Sequence, residues 1–264
     1  MSKFLPENEI EPRLSQRCLT AFFLSGQILL YLLKGKIPSY RPIMEQLVAV
    51  GPGSLIPVLL VAFFAGMIFT VQMARELLRY GVISALGGAF ALAFCRELAP
   101  ILTASVVAGQ VGAAFAAEIG QMEVTEQIDA LYMLRCNPLD YLVIPRLLAC
   151  CLMMPVLTVL GLVVGIFGGL LVADGFYQID STIFLDSIRE FLGLPDLLGI
   201  ILKAFIFGTL VAIIGCTWGL TTKGGAKGVS KSAKTAVIVS WVSIFIADFL
   251  LTLLIFHGIN LSLS

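Results

Sequence analysis

Residues 98–117 read LAPILTASVVAGQVGAAFAA, twenty positions without a charge in which small residues return every fourth place. Ala104, Ala108, Gly112, Ala116 and Gly120 form one ridge, and Ser105, Gly109, Ala113 and Ala117 form a second beside it. A helix rises about 1.5 Å per residue, so a run of this length crosses a hydrocarbon core about 30 Å thick. Within lipid, small ridges let helix backbones approach closely, which replaces the hydrophobic drive available in water. The stretch therefore predicts a packed transmembrane helix.

Four further runs have the required length and apolarity: Leu55–Ala74, Cys150–Ala173, Leu198–Leu220 and Thr235–Phe256. Small residues recur at Gly161, Gly165 and Gly169 in the third span and at Ala204, Gly208, Ala212 and Cys216 in the fourth. Spans two, three and four are thus expected to form the packed centre, within one chain, between two copies, or both. The whole composition agrees. Of 264 residues 59% are hydrophobic and only 13% charged, and the mean hydropathy is +1.00. No soluble fold of this size hides so much apolar surface. The expected class is an all-α integral membrane protein with five transmembrane helices.

Two flanking apolar stretches do not fit as separate spans. Leu14–Leu33 is interrupted by Gln16, Arg17, Thr20, Ser25 and Gln27 and reads as a helix lying along the membrane surface, the alternative being a sixth span. Val82–Cys95 is too short to cross, and reads as a re-entrant piece or as the outer extension of span two. This divides the chain into an N-terminal segment, residues 1–45, and a five-span domain, residues 46–264.

Lysine and arginine set the orientation. Lys3, Arg13, Arg17, Lys34, Lys36, Arg41, Arg135, Arg146, Lys223, Lys227, Lys231 and Lys234 fall on one side, against Arg75, Arg79, Arg96 and Arg189 on the other. Twelve against four puts the N-terminus inside. The inner loops are then 118–149 and 221–234. In the first, Val124, Ile128, Leu131 and Tyr132 recur at helical spacing opposite Glu123, Glu126 and Asp129, which predicts a short amphipathic helix over Glu123–Arg135 ending at Asn137-Pro138. Such a helix serves as a handle for a soluble partner or rests on headgroups.

Four ionisable residues are placed at membrane depth, where each costs about 2.5–3.5 kcal/mol unless partnered. Lys203 and Asp248 lie at similar depths in spans four and five and are expected to pair, the alternative being a lysine that snorkels to the headgroups. Arg96 and Glu97, near the expected outer end of span two and ahead of Pro100, form either a phosphate contact or a local ion pair at a bend.

Several chemistries are excluded. Net charge is zero, so no basic excess recruits nucleic acid. His257 is the only histidine, and the six cysteines have no CxxC spacing, so neither a metal centre nor a disulfide framework is expected. Gly225-Ala-Lys-Gly-Val-Ser230-Lys231-Ser232 has serine where a phosphate-binding loop has its second glycine and follows no strand, so it reads as a basic inner turn. Any use of ATP must fall to another subunit. A self-sufficient secondary transporter or channel relaying ions through Arg96, Glu97, Lys203 and Asp248 is the rival, but the internal repeats common in such carriers are not visible.

Arg96-Glu-Leu-Ala-Pro-Ile-Leu-Thr103, Ala108-Gly-Gln-Val-Gly-Ala-Ala114, Ala117-Glu-Ile-Gly120, Val124-Thr-Glu-Gln-Ile-Asp-Ala-Leu131, Asn137-Pro138 and Val143-Ile-Pro-Arg146 together resemble the MlaE permease family, from about residue 50 to 256. These are membrane subunits of ABC transporters that work with MCE-domain proteins. The resemblance implies a homodimeric half-permease with an N-terminal interfacial helix. It makes the Glu123–Arg135 segment, with Thr125, Glu126 and Asp129, the coupling helix for a cytoplasmic ABC ATPase, and it places Arg96 at an outward lipid cavity. It further implies a phospholipid or other hydrophobic substrate, an MCE protein outside, no cofactor on this chain, and a bacterial inner membrane or plastid inner envelope. Gln110 departs from the family's usual arginine, and with that charge goes any headgroup contact there.

Overall fold

The computed structural model describes residues 17, 19–21, 23–24, 26 and 40–262, with side chains up to residue 255. Five helices are long and apolar enough to cross a membrane: Tyr40–Tyr80, Ile83–Val124, Leu139–Tyr177, Leu194–Leu220 and Gly225–Ile255, the last continuing as helix to Ser262. There is no strand among the described residues. Most of the expected interfacial helix, and the His257 side chain, lie outside the described residues; those described between residues 17 and 26 are helical.

Every span except the fourth extends well beyond the apolar run read from the sequence, through the apolar stretch Ile83–Cys95 in span two and into more polar sequence in spans one, three and five. Span one starts at Tyr40 rather than Leu55. Val82–Cys95 is the outer extension of span two and not a re-entrant piece, since from Ile83 to Val124 the chain stays helical. The expected basic turn over residues 221–234 is largely helix as well. Only residues 221–224 link spans four and five, where Gly224 and Gly225 take φ values of 88° and 66° open to residues without a side chain.

The chain also forms an outer helix that the charge pattern did not reveal, Ser181–Phe191, between spans three and four. Asp180 caps it: the Thr182 N–H and Oγ1 donate to Asp180 Oδ1 at 2.9 and 3.0 Å, and these bonds hold that carboxyl below its usual range. Its buried face, Phe184 and Ser187, lies on the Gly87-Gly88 pair of span two, where the Gly88 N–H donates to Ser187 Oγ at 3.0 Å. At eleven residues it was too short to find by span length.

Half of the apolar window is buried in spans two, three and four, against 28% in span one and 17% in span five. The expected ridges explain this. Ala104, Ala108 and Ala116 are fully buried, and Gly112 and Gly120 are buried beside them, packed on span four near Val211, Gly215 and Thr222. In span three Gly161 faces Val58 and Ala62, Gly165 meets Gly66 and the Phe94 ring, and Gly169 meets Thr70 and Phe90. Span three thus slots between span one and the aromatic stack Phe90–Phe94, whose centroids are 5.3 Å apart. The second ridge of span two behaves differently: Gly109 is exposed, and Ser105, Ala113 and Ala117 are only half-buried.

A Cβ on Gly66 would run into the Gly165 backbone, with its carbonyl carbon at 2.7 Å, whereas a Cβ on Gly53 would find its nearest atom at 3.9 Å. Gly66→Ala should therefore lose about 1–3 kcal/mol through overpacking. Gly53→Ala should be neutral or slightly stabilising. Thermal unfolding of both variants in mild detergent measures the contrast.

Candidate functional site

Span two is interrupted twice by π-helical turns, at Phe94–Leu98 and Ala108–Gly112, and span three opens with a third at Leu139–Val143. A π turn inserts one residue, turns the following side chains out of register and loosens the backbone ladder, which is why such turns gather at functional positions. The first holds Arg96 and Glu97. Because span two runs outward to Ile83, this pair sits well inside the helix and not near its outer end.

Pro100 has no N–H to offer the carbonyl of Arg96 four residues back. Lys203, from span four, donates to that carbonyl at 2.8 Å, to Glu97 Oε2 at 3.0 Å and to Thr252 Oγ1 of span five at 2.8 Å. With its three donors so directed, Lys203 Nζ also stands 2.8 Å from Asp248 Oδ1. The lysine is 3% exposed, so it does not snorkel to the surface. Thr252 Oγ1 lies 3.1 Å from Glu97 Oε1, completing a knot of spans two, four and five. The expected Lys203–Asp248 pair is present, and Glu97, read from sequence only as a neighbour of Arg96, is the second carboxylate on the same ammonium.

Arg96 is engaged elsewhere. Its Nε donates to Asp196 Oδ1 at 2.7 Å, and Asp196 Oδ2 accepts the Gly193 N–H at 3.0 Å at the start of span four. Asp196 and Thr252 are members of the site that sequence reasoning missed. Leu194-Pro195-Asp196 is a helix-start signal, proline and acid in the first turn, and the acid could be found that way; nothing local marks Thr252. Arg96, Glu97, Asp196, Lys203 and Thr252 line a cavity of about 60 Å³ together with apolar neighbours from spans four and five. That space holds a few waters and no acyl chain. In a single chain, then, the knot is a polar niche of two cations and three carboxylates between the apolar helices of spans two, four and five.

The second grouping lies on the lysine-rich side. The helix expected over Glu123–Arg135 spans only Gln127–Met133. Span two itself runs to Val124 and keeps Glu123; the break follows at Thr125 and at Glu126, whose φ of 59° is left-handed. Thr125 Oγ1 turns back to the Gln121 carbonyl at 2.8 Å. The carboxylates do not share one continuous helical face, because the left-handed residue redirects the chain between Glu123 and Asp129. Glu126 and Asp129 are exposed, Glu123 is half-buried within electrostatic range of Asp129 and Lys223, and Ile128 is buried. Burial, then the carboxylates of Glu123 and Asp129, push the Tyr132 hydroxyl above its usual value. Arg135, with a φ of 57°, ends the segment before Asn137-Pro138. The tip is apolar yet bare: Met133 is 87% and Leu134 72% exposed. Gln110 also is exposed, in the second π turn. Among the described residues no cluster of histidine, cysteine and carboxylate could hold a metal.

A family model described as Permease MlaE matches residues 43–254. The chain is 54% identical over 243 residues to a probable ABC transporter permease protein of Synechocystis, covering 92% of both chains. It is 45% identical to the chloroplastic protein trigalactosyldiacylglycerol 1 of Arabidopsis thaliana, over 94% of this chain and 71% of that one. It is 40% identical to a probable ABC transporter permease protein of Rickettsia typhi, over 81% and 83% of the two chains.

Removing Lys203 leaves Glu97 and Asp248 facing each other without a cation, a loss of about 3–5 kcal/mol for a buried pair. Removing Asp248 as well relieves much of it. A double-mutant cycle with Lys203→Met and Asp248→Leu, read by thermal unfolding, should give a coupling of about 1 kcal/mol or more. Simple additivity would mean that the contact carries no energy.

Proposed function

The chain belongs to the MlaE permease family, and from that premise we propose that it is the membrane subunit of an ABC transporter that moves a phospholipid or similar hydrophobic molecule. The observation that carries the partner is the bare inner tip. Met133 and Leu134 are more than two-thirds exposed on the lysine-rich side, next to the exposed carboxylates of Glu126 and Asp129. Apolar surface of this kind beside charge is a docking site for a soluble protein. A cytoplasmic ABC ATPase fits it, and ATP is bound and hydrolysed there; this chain has no cofactor of its own.

The Arg96 guanidinium, about a third exposed at the polar niche, suits a headgroup phosphate, and the galactolipid in the name of the chloroplastic relative supports a lipid substrate. The polar niche of one chain, about 60 Å³, is too small for an acyl chain, and a second copy completes the passage in this reading. The half-buried ridge Ser105, Gly109, Ala113 and Ala117 is the face that a homodimer uses, because small residues allow two span-two helices to meet closely. An MCE-domain protein on the outer side receives or delivers the lipid. Arg96 and Glu97, the partly exposed members, border the lipid path, with Lys203 and Asp248 as the buried charges behind them, and the membrane is a bacterial inner membrane or a plastid inner envelope. ATP binding favours one arrangement of the dimer, and the inner helices transmit it.

Affinity purification of the tagged chain in mild detergent, with mass spectrometry of proteins and lipids, should recover an ABC ATPase, an MCE protein and phospholipid. Glu126→Lys with Asp129→Lys should abolish ATPase recovery and lipid transfer while leaving membrane insertion intact. A partner-free chain that catalyses flux in liposomes would overturn the reading in favour of a self-sufficient carrier.

A further inference from the structure

Arg146 is a costly residue where it stands. Its side chain is 8% exposed, two turns into span three, where a cation removed from water is costly unless matched. A buried guanidinium is tolerated when its donors are matched. Nη1 donates to the Leu142 carbonyl at 2.9 Å, and Nη2 to Glu118 Oε2 at 2.8 Å. The cation also sits over the Phe115 ring, 5.4 Å from its centroid. Even so, its buried Nε finds no partner among the described residues. Surface orientation needs none of this, since an exposed lysine would serve the charge rule equally.

The contacts join three things. Glu118 and Phe115 belong to the inner end of span two, the Leu142 carbonyl to the π turn that opens span three, and between those two points the chain makes its only excursion through the inner helix Gln127–Met133. Ile128 of that helix shares one buried cluster with Phe115, Ile119, Leu142 and Leu147. Phe115 in turn backs onto span four, where a Cβ on Gly215 would stand 3.3 Å from its own Cβ. Twelve residues along that helix, about 18 Å, is Lys203 of the charge knot.

We propose that Arg146 is a positioning residue which, through Glu118 and Leu142, clamps the inner helix and the inner ends of spans two and three into one rigid lever. The clamp makes a push on the inner helix turn spans two and four together instead of bending the Thr125–Glu126 break. The inference rests on the inner helix being the ATPase dock.

The test uses the full chain expressed in its native membrane background and purified with the ATPase that accompanies it. Three quantities are read: ATPase recovered per chain, ATP hydrolysis rate, and transfer of a fluorescent phospholipid between liposomes per ATP hydrolysed. Glu118→Ala alters a side chain that is 56% exposed but takes the carboxylate from a buried guanidinium, so thermal unfolding in mild detergent is read first and the transfer ratio is taken on Glu118→Ala and Glu118→Gln preparations that melt as folded protein. With Glu118→Ala, ATPase recovery and hydrolysis should stay near wild type while transfer per ATP falls about tenfold, within the span of ordinary coupling energies. Glu118→Gln, which keeps an acceptor oxygen, should retain more of that ratio. An unchanged ratio in Glu118→Ala, or loss of ATPase recovery and transfer in step, overturns the lever. Absence of any ATPase from the wild-type preparation overturns the docking reading itself, before a variant is measured.

Discussion

A lysine ammonium inside a lipid-embedded bundle needs several oxygens around it, and here they come from three spans. Lys203 binds a carbonyl freed by Pro100, a carboxylate and a hydroxyl, and stands beside a second carboxylate. Lys203 and Asp248 are almost wholly removed from bulk water, so their contacts are worth more than at a surface, and either charge would be costly if left alone. Spans two, four and five are held to one register by that requirement. Arg96 and Asp196 extend the same logic to the beginning of span four. Few charges are present in the membrane region, and those few decide how the outer halves of the helices stand.

The inner halves are organised by close packing and by one further buried cation. There the small residues of span two meet span four, whereas toward the opposite end the glycines of span three meet span one and the Phe90–Phe94 stack. Backbone contact at such sites tolerates little sliding. Arg146 then closes the inner end against Glu118 and Phe115. A transporter needs rigid bodies and a few places where they part, and the three π turns and the break at Glu126 are where this backbone departs from the regular helix. They lie beside Arg96, Gln110, Arg146 and the inner helix, the polar positions named from the motifs or found next to them.

The five spans were legible in sequence because a hydrocarbon core about 30 Å thick demands apolar runs of about twenty residues, a signal few soluble folds imitate. The four-residue ridges were legible for the same local reason, and with them the central place of spans two, three and four. Helix ends were not, since polar sequence beyond the headgroups stays helical without leaving an apolar mark. The outer helix Ser181–Phe191 carries a cap signal at Asp180, but its burial is against Gly87 and Gly88, far away in the chain.

Sequence alone therefore determined the all-α membrane class, the five long apolar helices, the family and which charges would need partners. Depth along a helix, at about 1.5 Å per residue, even paired Lys203 with Asp248. Only the tertiary structure decided that Glu97 joins that pair, that Asp196 holds Arg96, that Thr252 closes the knot, and that Arg146 is buried and not a surface charge. Such choices depend on how far each helix is rotated about its axis, and the π turns shift that rotation in ways that no regular periodicity records.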